Sequence, residues 1–155
     1  MPFRCPQCQT VDSLEIGFSI ELPPDRNSDE ISLQVVMCSV CSFRALAVYE
    51  EFCHSSAEAA SFTHIGYRVS RDAVDSVLAA IQSCPDPYNP HCSCPAHTSL
   101  GQQDVYKEWS GLLELERGRT FSMRLCLKPG EHRSQTGGAE LSSIDSAADT
   151  GEATS

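Results

Sequence analysis

Two stretches of alternating apolar and polar residues in the first third of the chain predict a long β-hairpin. Apolar side chains occupy every second position over residues 14–22, which is the period of a half-buried strand. Turn formers and charged residues interrupt the pattern at 23–30, and the alternation resumes over 31–37. A third apolar strand is predicted over 43–49. We therefore expect three antiparallel strands here, and the first should carry one continuous apolar face.

Helical and strand patterns alternate in the middle of the chain. The Ala-rich stretch from Ser55 predicts a helix start, and residues 64–69 predict a strand. Ser70 is then the expected cap of a clearer helix. Its apolar stripe has helical spacing and consists of Ala73, Val74, Val77, Leu78 and Ile81. A loop with four prolines follows from Cys84, and residues 112–127 predict a second hairpin with a turn at Arg117-Gly118.

Four cysteines stand in two pairs at the ends of the first predicted hairpin. Cys5 and Cys8 precede its first strand, and Cys38 and Cys41 follow directly after its second. Antiparallel pairing brings both pairs to the same end, where four thiolates can close a tetrahedron around zinc. Such a set leaves no position for water or substrate, so we expect a structural site. Unligated core cysteines, or iron held by the same ligands, are the alternatives.

These residues resemble the zinc-ribbon superfamily over about residues 3–50. The resemblance implies a three-stranded antiparallel ribbon with Cys5, Cys8, Cys38 and Cys41 as zinc ligands. The long spacing between the pairs is similar in layout to the zinc fingers of proteins that bind eukaryotic elongation factor 1-alpha. A glycine usually follows the second knuckle of those fingers, whereas this chain has Ser42, so only the ligands and the fold carry over.

A second group of metal-ligating residue types lies in the Pro-rich loop. The five residues fall within fourteen positions and are Cys84, His91, Cys92, Cys94 and His97. The first hypothesis is a second structural zinc on Cys84, Cys92, Cys94 and His97, with His91 as an alternate ligand. The second is a catalytic or exchangeable metal with three protein ligands and one water. The third is a surface loop whose thiols are simply reduced or form a redox pair.

Three further residues are weaker ligand candidates, and one cysteine is expected to be inert. Cys53, His54 and His64 can supplement the second group, although a buried thiol beside a surface imidazole is the commoner arrangement. Cys126 alternates with leucines on a predicted strand and is expected to be an unreactive thiol.

Charge and cysteine usage narrow the function classes. The net charge is −10, and residues 1–54 contain eight carboxylates against three arginines and no lysine, which disfavours nucleic-acid binding. Nine cysteines in clustered spacings, without a secretory leader, favour reduced thiols in the cytoplasm. No apolar stretch approaches the length of a membrane span, so no membrane association is expected.

Together these patterns predict an α+β fold with a zinc ribbon at residues 1–54. A small α+β region with the helix, the metal-binding loop and the C-terminal hairpin is expected at 55–128, and a disordered tail at 129–155. Common nucleotide-binding and hydrolase motifs do not occur. The function expected is therefore a non-enzymatic zinc-binding module that contacts a protein partner, preferably a basic one. A metalloenzyme or thiol-redox protein using residues 84–97 and a transcription-related nucleic-acid-binding ribbon are the alternatives.

Overall fold

The computed structural model describes residues 3–52, 61–112, 115 and 118–123, and its strands form one antiparallel sheet. Strands that are consecutive in sequence are also neighbours in the sheet, in the order β1-β2-β3-β4-β5. An α+β class is therefore confirmed, although the three strands predicted for the ribbon belong to a sheet of five. The elements are β1 (Leu14–Leu22), β2 (Glu30–Cys38), β3 (Arg44–Phe52), β4 (Ser61–Arg68), α1 (Arg71–Ser83), α2 (Pro95–Leu100) and β5 (Arg119–Ser122).

Strand β1 contains a β-bulge that the alternating pattern did not predict. Ile16 is opposite Val36, whereas Phe18 is opposite Val35, so Gly17 is an extra residue on β1. An inserted residue moves all later side chains to the other face of the sheet, because side chains alternate with a period of two. The expected single apolar face of β1 is therefore wrong: its two halves contribute to opposite faces.

Each face of the sheet has its own apolar core. The core on the face that α1 covers, called here the helix-side core, includes Ile20, Leu22, Ile31, Leu33, Val35, Leu46, Val74, Val77, Ile81 and Cys84. The core on the opposite face includes cysteines of the two turns Cys5–Cys8 and Cys38–Cys41, which are called here the first and second knuckles. This knuckle-side core comprises Phe3, Cys5, Leu14, Val36, Cys38, Phe43, Ala45, Ala47 and Met123. Because β2 contributes to both cores, it is buried almost along its whole length.

Capping hydrogen bonds and prolines set the ends of the two helices. Ser70 caps α1 by accepting a hydrogen bond from the Ala73 backbone N–H at 3.1 Å, and the apolar stripe packs into the helix-side core. Pro85 stands just beyond the Cys84 cap, which disfavours continuation of the helix. Helix α2 lies inside the loop for which no regular structure was predicted. Pro95 at its first position provides the fixed φ angle that favours a helix start there.

The predicted C-terminal hairpin differs from the arrangement of the described residues. Strand β5 pairs with β4, with Gly66 opposite Phe121. Leu115 lies in a helical turn, since its backbone N–H donates to the Leu112 carbonyl and the Gly118 N–H donates to the Leu115 carbonyl. β5 thus adds a strand to an existing sheet, which is more stable than an isolated two-stranded hairpin.

Several predictions fall outside the described residues. They concern the helix start at Ser55, the side chains of Cys53, His54 and Cys126, and the tail at 129–155. Within the described part of the chain, neither helix has the length and apolar character that crossing a membrane requires.

Candidate metal centres

The first cysteine set is assembled by the register of β1 and β2. Leu14 pairs with Cys38, so the knuckle that precedes β1 and the knuckle that follows β2 lie at one end of the hairpin. Backbone hydrogen bonds between Phe3 and Leu14, at 2.7 and 2.9 Å, fold the N-terminal segment back along this end. The four sulfurs of Cys5, Cys8, Cys38 and Cys41 consequently lie within 4.8 Å of one another.

The sulfur separations match a four-thiolate zinc site. Cys5 Sγ lies 3.7 Å from Cys41 Sγ, and Cys8 Sγ lies 3.8 Å from Cys38 Sγ. A Zn–S bond of about 2.3 Å gives a tetrahedron with edges of about 3.8 Å. A disulfide requires about 2.0 Å, and these cysteines are free. The set is therefore compatible with a tetrahedral ion.

Backbone N–H groups point at the sulfurs of both knuckles. The Gln7 N–H donates to Cys5 Sγ at 3.4 Å, and the N–H groups of Val40 and Cys41 donate to Cys38 Sγ at 3.3 and 3.4 Å. Such donors stabilise negative charge on sulfur, because a charged acceptor strengthens the hydrogen bond. Both knuckle turns are thus arranged for thiolates.

The residue after each knuckle has a left-handed backbone. Gln9 has a φ angle of 63° and Ser42 has a φ angle of 66°. This conformation costs a residue with a side chain roughly 1–2 kcal/mol and is the one for which glycine is usually selected. Gln9 and Ser42 therefore adopt the backbone conformation that glycine usually provides at these positions.

Burial and hydrogen bonding give the first-set thiols very different acidities. Desolvation raises the pKa of Cys5 to about 12. Desolvation also opposes ionisation of Cys38, but its hydrogen bond with the Ser13 side chain and those from the backbone N–H groups of Cys41 and Val40 outweigh it and lower the pKa to about 6. At neutral pH, metal binding must therefore displace a proton from Cys5.

The second set also converges, and it does so around an imidazole. Cys84 Sγ lies 3.8 Å from Cys92 Sγ, and His97 Nδ1 lies 3.3 Å from the sulfurs of both Cys84 and Cys94. All four ligand atoms fall within 4.8 Å of one another. Burial raises the pKa of Cys84 to about 11. The backbone N–H of His97, which donates to Cys94 Sγ, lowers the pKa of Cys94 to about 6.

Two histidines considered as ligands lie elsewhere. His91 is exposed, outside the second group, on the wall of a cleft. His64 is on β4, where its Nε2 pairs with Gln34 Oε1 at 2.7 Å and its ring contacts Phe3 and Tyr49 edge-on. Burial lowers the pKa of His64 to about 4, so it is neutral at physiological pH. His64 therefore belongs to the packing of the sheet.

Two features of the second set were missed by sequence reasoning. The first is helix α2, which Cys94 caps: its sulfur accepts the His97 backbone N–H at 3.4 Å. Pro95 was the available signal for this helix start. His97 Nε2 contacts the Glu21 carbonyl oxygen at 2.9 Å. No local pattern signals that contact, since the two residues are 76 positions apart.

Comparison of the chain with protein-family models, with curated proteins and with solved structures found no match. The two cysteine-rich clusters and their geometry are accordingly the basis for functional inference, and they are compatible with metal binding.

Replacing Ser42 by glycine should stabilise the metal-loaded protein. The left-handed φ angle is unstrained in glycine, so we expect Ser42→Gly to raise the free energy of unfolding by roughly 0.5–1 kcal/mol. Ser42→Ala keeps the strain and is the matched control. Urea denaturation at fixed zinc concentration measures both, and equal stabilities of the two variants would contradict the strain argument.

Metal affinity at the first set should increase with pH. Because the pKa of Cys5 is about 12, its proton competes with the metal throughout the neutral range. We expect the apparent affinity for zinc to rise by at least about tenfold per pH unit between pH 6 and 8, and to fall on acidification. Competition with a chromophoric chelator, corrected for its own protonation, measures this change; a pH-independent affinity would contradict it.

Proposed function

We propose that this chain is a non-enzymatic zinc-binding protein that presents an acidic surface to a basic protein partner. The observation that carries the proposal is the first cysteine set, in which four sulfurs stand at tetrahedral separations with backbone N–H donors on the ligands. Four cysteines close the coordination shell, so zinc there would stabilise the fold and would not activate water. We therefore assign Cys5, Cys8, Cys38 and Cys41 as structural zinc ligands.

We also propose that residues 1–54 form a zinc-ribbon unit. Its support is the knuckle geometry together with β1, β2 and β3, which follow the cysteines in the order that the resemblance implies. Residues 55–128 would then be an addition to that unit. The sheet continues across the division through pairing of β3 with β4, so the ribbon and the addition would depend on each other for stability.

The cysteine chemistry supports a reducing compartment such as the cytoplasm. The seven cysteines among the described residues are all free, and none has a sulfur at bonding distance from another. Thiolate zinc ligands need reducing conditions to stay available for the metal.

An acidic cleft supports the preference for a basic partner. Glu21, Asp29 and Glu30 line a cleft of about 530 Å³, whose opposite wall includes Tyr88 and His91. Burial, followed by the charge of Glu30, raises the pKa of Glu21. A lysine or arginine side chain in this cleft would relieve the repulsion between carboxylates, while the exposed Tyr88 ring offers a face for a cation.

A group of three arginines lies in a different place. Arg44, Arg68 and Arg71 line a separate pocket near the second knuckle. Arg44 approaches Asp75 at 3.6 Å, and the guanidinium of Arg68 lies over the Phe43 ring. This group lacks the extent of a surface that follows a nucleic-acid backbone, so we favour a protein partner over DNA or RNA.

Metal analysis tests the zinc part of the proposal. Purified Cys38→Ser should contain one zinc fewer per chain than the wild type and should be strongly destabilised, because one ligand of a closed site is lost. Val40→Ser introduces the same residue into the same turn at a position that is 61% exposed, and it should keep the wild-type zinc content. Iron in the purified protein, or an unchanged zinc content in Cys38→Ser, would contradict the assignment.

Peptide binding tests the partner part. An arginine-rich peptide should bind the wild type in low salt, and the variant Glu21→Gln, Asp29→Asn, Glu30→Gln should bind it about tenfold more weakly or worse. The control variant Asp12→Asn, Glu15→Gln, Asp72→Asn makes the same change in net charge at exposed sites away from the cleft. Isothermal titration measures all three proteins, and equal losses in both variants would show a net-charge effect and contradict the cleft.

A further inference from the structure

We infer that Cys84, Cys92, Cys94 and His97 Nδ1 form a second zinc centre that fastens residues 84–110 to the outer edge of β1. The inference goes beyond the proposed function, which needs only the first cysteine set. It assigns the ligand atoms of a second ion and a mechanical role for that ion in the fold.

The interatomic distances fit one tetrahedral ion with three sulfurs and one nitrogen. Zn–S and Zn–N bonds of about 2.3 and 2.0–2.1 Å give tetrahedral edges of about 3.8 Å between sulfurs and about 3.5 Å between sulfur and nitrogen. The Cys84–Cys92 separation is 3.8 Å, and both separations from His97 Nδ1 are 3.3 Å. These three separations are therefore within a few tenths of an ångström of those in a zinc coordination shell, and none of the others exceeds 4.8 Å.

The orientation of His97 selects Nδ1 as the ligand atom. The side chain is buried, with 3% of its surface exposed, and its Nε2 lies 2.9 Å from the Glu21 carbonyl oxygen. A carbonyl can only accept, so Nε2 carries the proton and Nδ1 has a free lone pair directed at the sulfurs. Zinc-bound histidines usually have their second ring nitrogen held in this way, which fixes the tautomer and the ring orientation.

Hydrogen bonding alone does not satisfy the cluster. The sulfurs of Cys84 and Cys94 are equally close to Nδ1, but its single lone pair can accept from only one thiol. One metal ion instead uses the lone pair and all three sulfurs at once. The N–H groups of Asp86 and His97, which donate to Cys84 Sγ and Cys94 Sγ at 3.4 Å, stabilise the thiolates that the ion requires.

Among the described strands, β1 has a neighbour on one side only, and the centre lies on its other side. β1 is an edge of the sheet, and the outward backbone groups of Glu21 are both bound by the segment that carries the cluster. The Glu21 N–H donates to the Pro87 carbonyl at 2.7 Å, and the Glu21 carbonyl accepts from His97 Nε2. An open edge strand invites pairing with other chains, so this segment also protects β1.

The rest of the segment contributes only a few apolar side chains to the helix-side core, namely Ala96, Leu100 and Trp109. It continues along the hairpin loop by hydrogen bonds, among them Arg26 N–H to the Lys107 carbonyl at 3.0 Å and Gln103 Nε2 to the Pro24 carbonyl at 3.1 Å. Its helix α2 has only six residues. A metal cross-link compensates for such a small core, because zinc binding contributes directly to folding free energy.

Zinc counting and amide exchange test this inference. The wild type should contain two zinc ions per chain, Cys94→Ser should contain one, and the exposed control His91→Ala should contain two. In Cys94→Ser, hydrogen exchange at the Glu21 amide should be at least about tenfold faster than in the wild type, because its partner segment is released. In His91→Ala it should be unchanged. An equal zinc content in the wild type and in Cys94→Ser would overturn the inference.

A second measurement needs no variant. Long-range ¹H–¹⁵N spectra of the wild type should show His97 with a protonated Nε2 and a metal-bound Nδ1, and a metal-bound Nε2 or a metal-free ring would refute the assignment. The two proposals also fail separately. If the wild type holds a single zinc that is lost in Cys38→Ser and kept in Cys94→Ser, only the second centre is refuted. If that single zinc is lost in Cys94→Ser and kept in Cys38→Ser, only the first centre is refuted.

Discussion

The register of the hairpin formed by β1 and β2 is the constraint on which both metal clusters depend. Pairing of Leu14 with Cys38 brings the two knuckles together at one end of the sheet. Seven residues further along β1, roughly 23 Å at about 3.3 Å per residue, Glu21 presents its backbone to His97 and Pro87 at the other end. A slip of one residue would misplace the sulfurs at one end and the edge contacts at the other.

Because of the bulge at Gly17, β1 contributes side chains to both cores, and each core includes cysteines of one cluster. Cys5 and Cys38 are part of the knuckle-side core, whereas Cys84 belongs to the helix-side core with Cys92 and Cys94 packed against it. Because the bulge reverses the facing of β1, one strand contributes Leu14 to the first core and Ile20 to the second. Each cluster thus borders a different face of the sheet.

The two clusters have the same pattern of thiol pKa shifts. Each combines a buried thiol whose pKa is raised, Cys5 or Cys84, with a thiol whose pKa is lowered to about 6 by hydrogen bonds, Cys38 or Cys94. Burial disfavours the charged form of Cys5 and Cys84, whereas the directed N–H groups stabilise negative charge on Cys38 and Cys94. The two clusters differ in their surroundings. The second cluster lies in the segment that carries Tyr88 and His91, which line the acidic cleft.

Much of this arrangement could be predicted from local patterns. The residue spacings predicted both groups of ligand candidates, and periodicity predicted β1, β2, β3, β4 and α1, because these depend on neighbours a few positions apart. Helix α2 was missed because a metal-binding loop was expected there, although Pro95 marked its start. Only the tertiary structure decided the bulge at Gly17, the pairing of β5 with β4 and the contact between His97 and Glu21. Each of these depends on partners that are distant in sequence, and a pattern of neighbouring residues has no information about which distant groups compete for the same hydrogen bond.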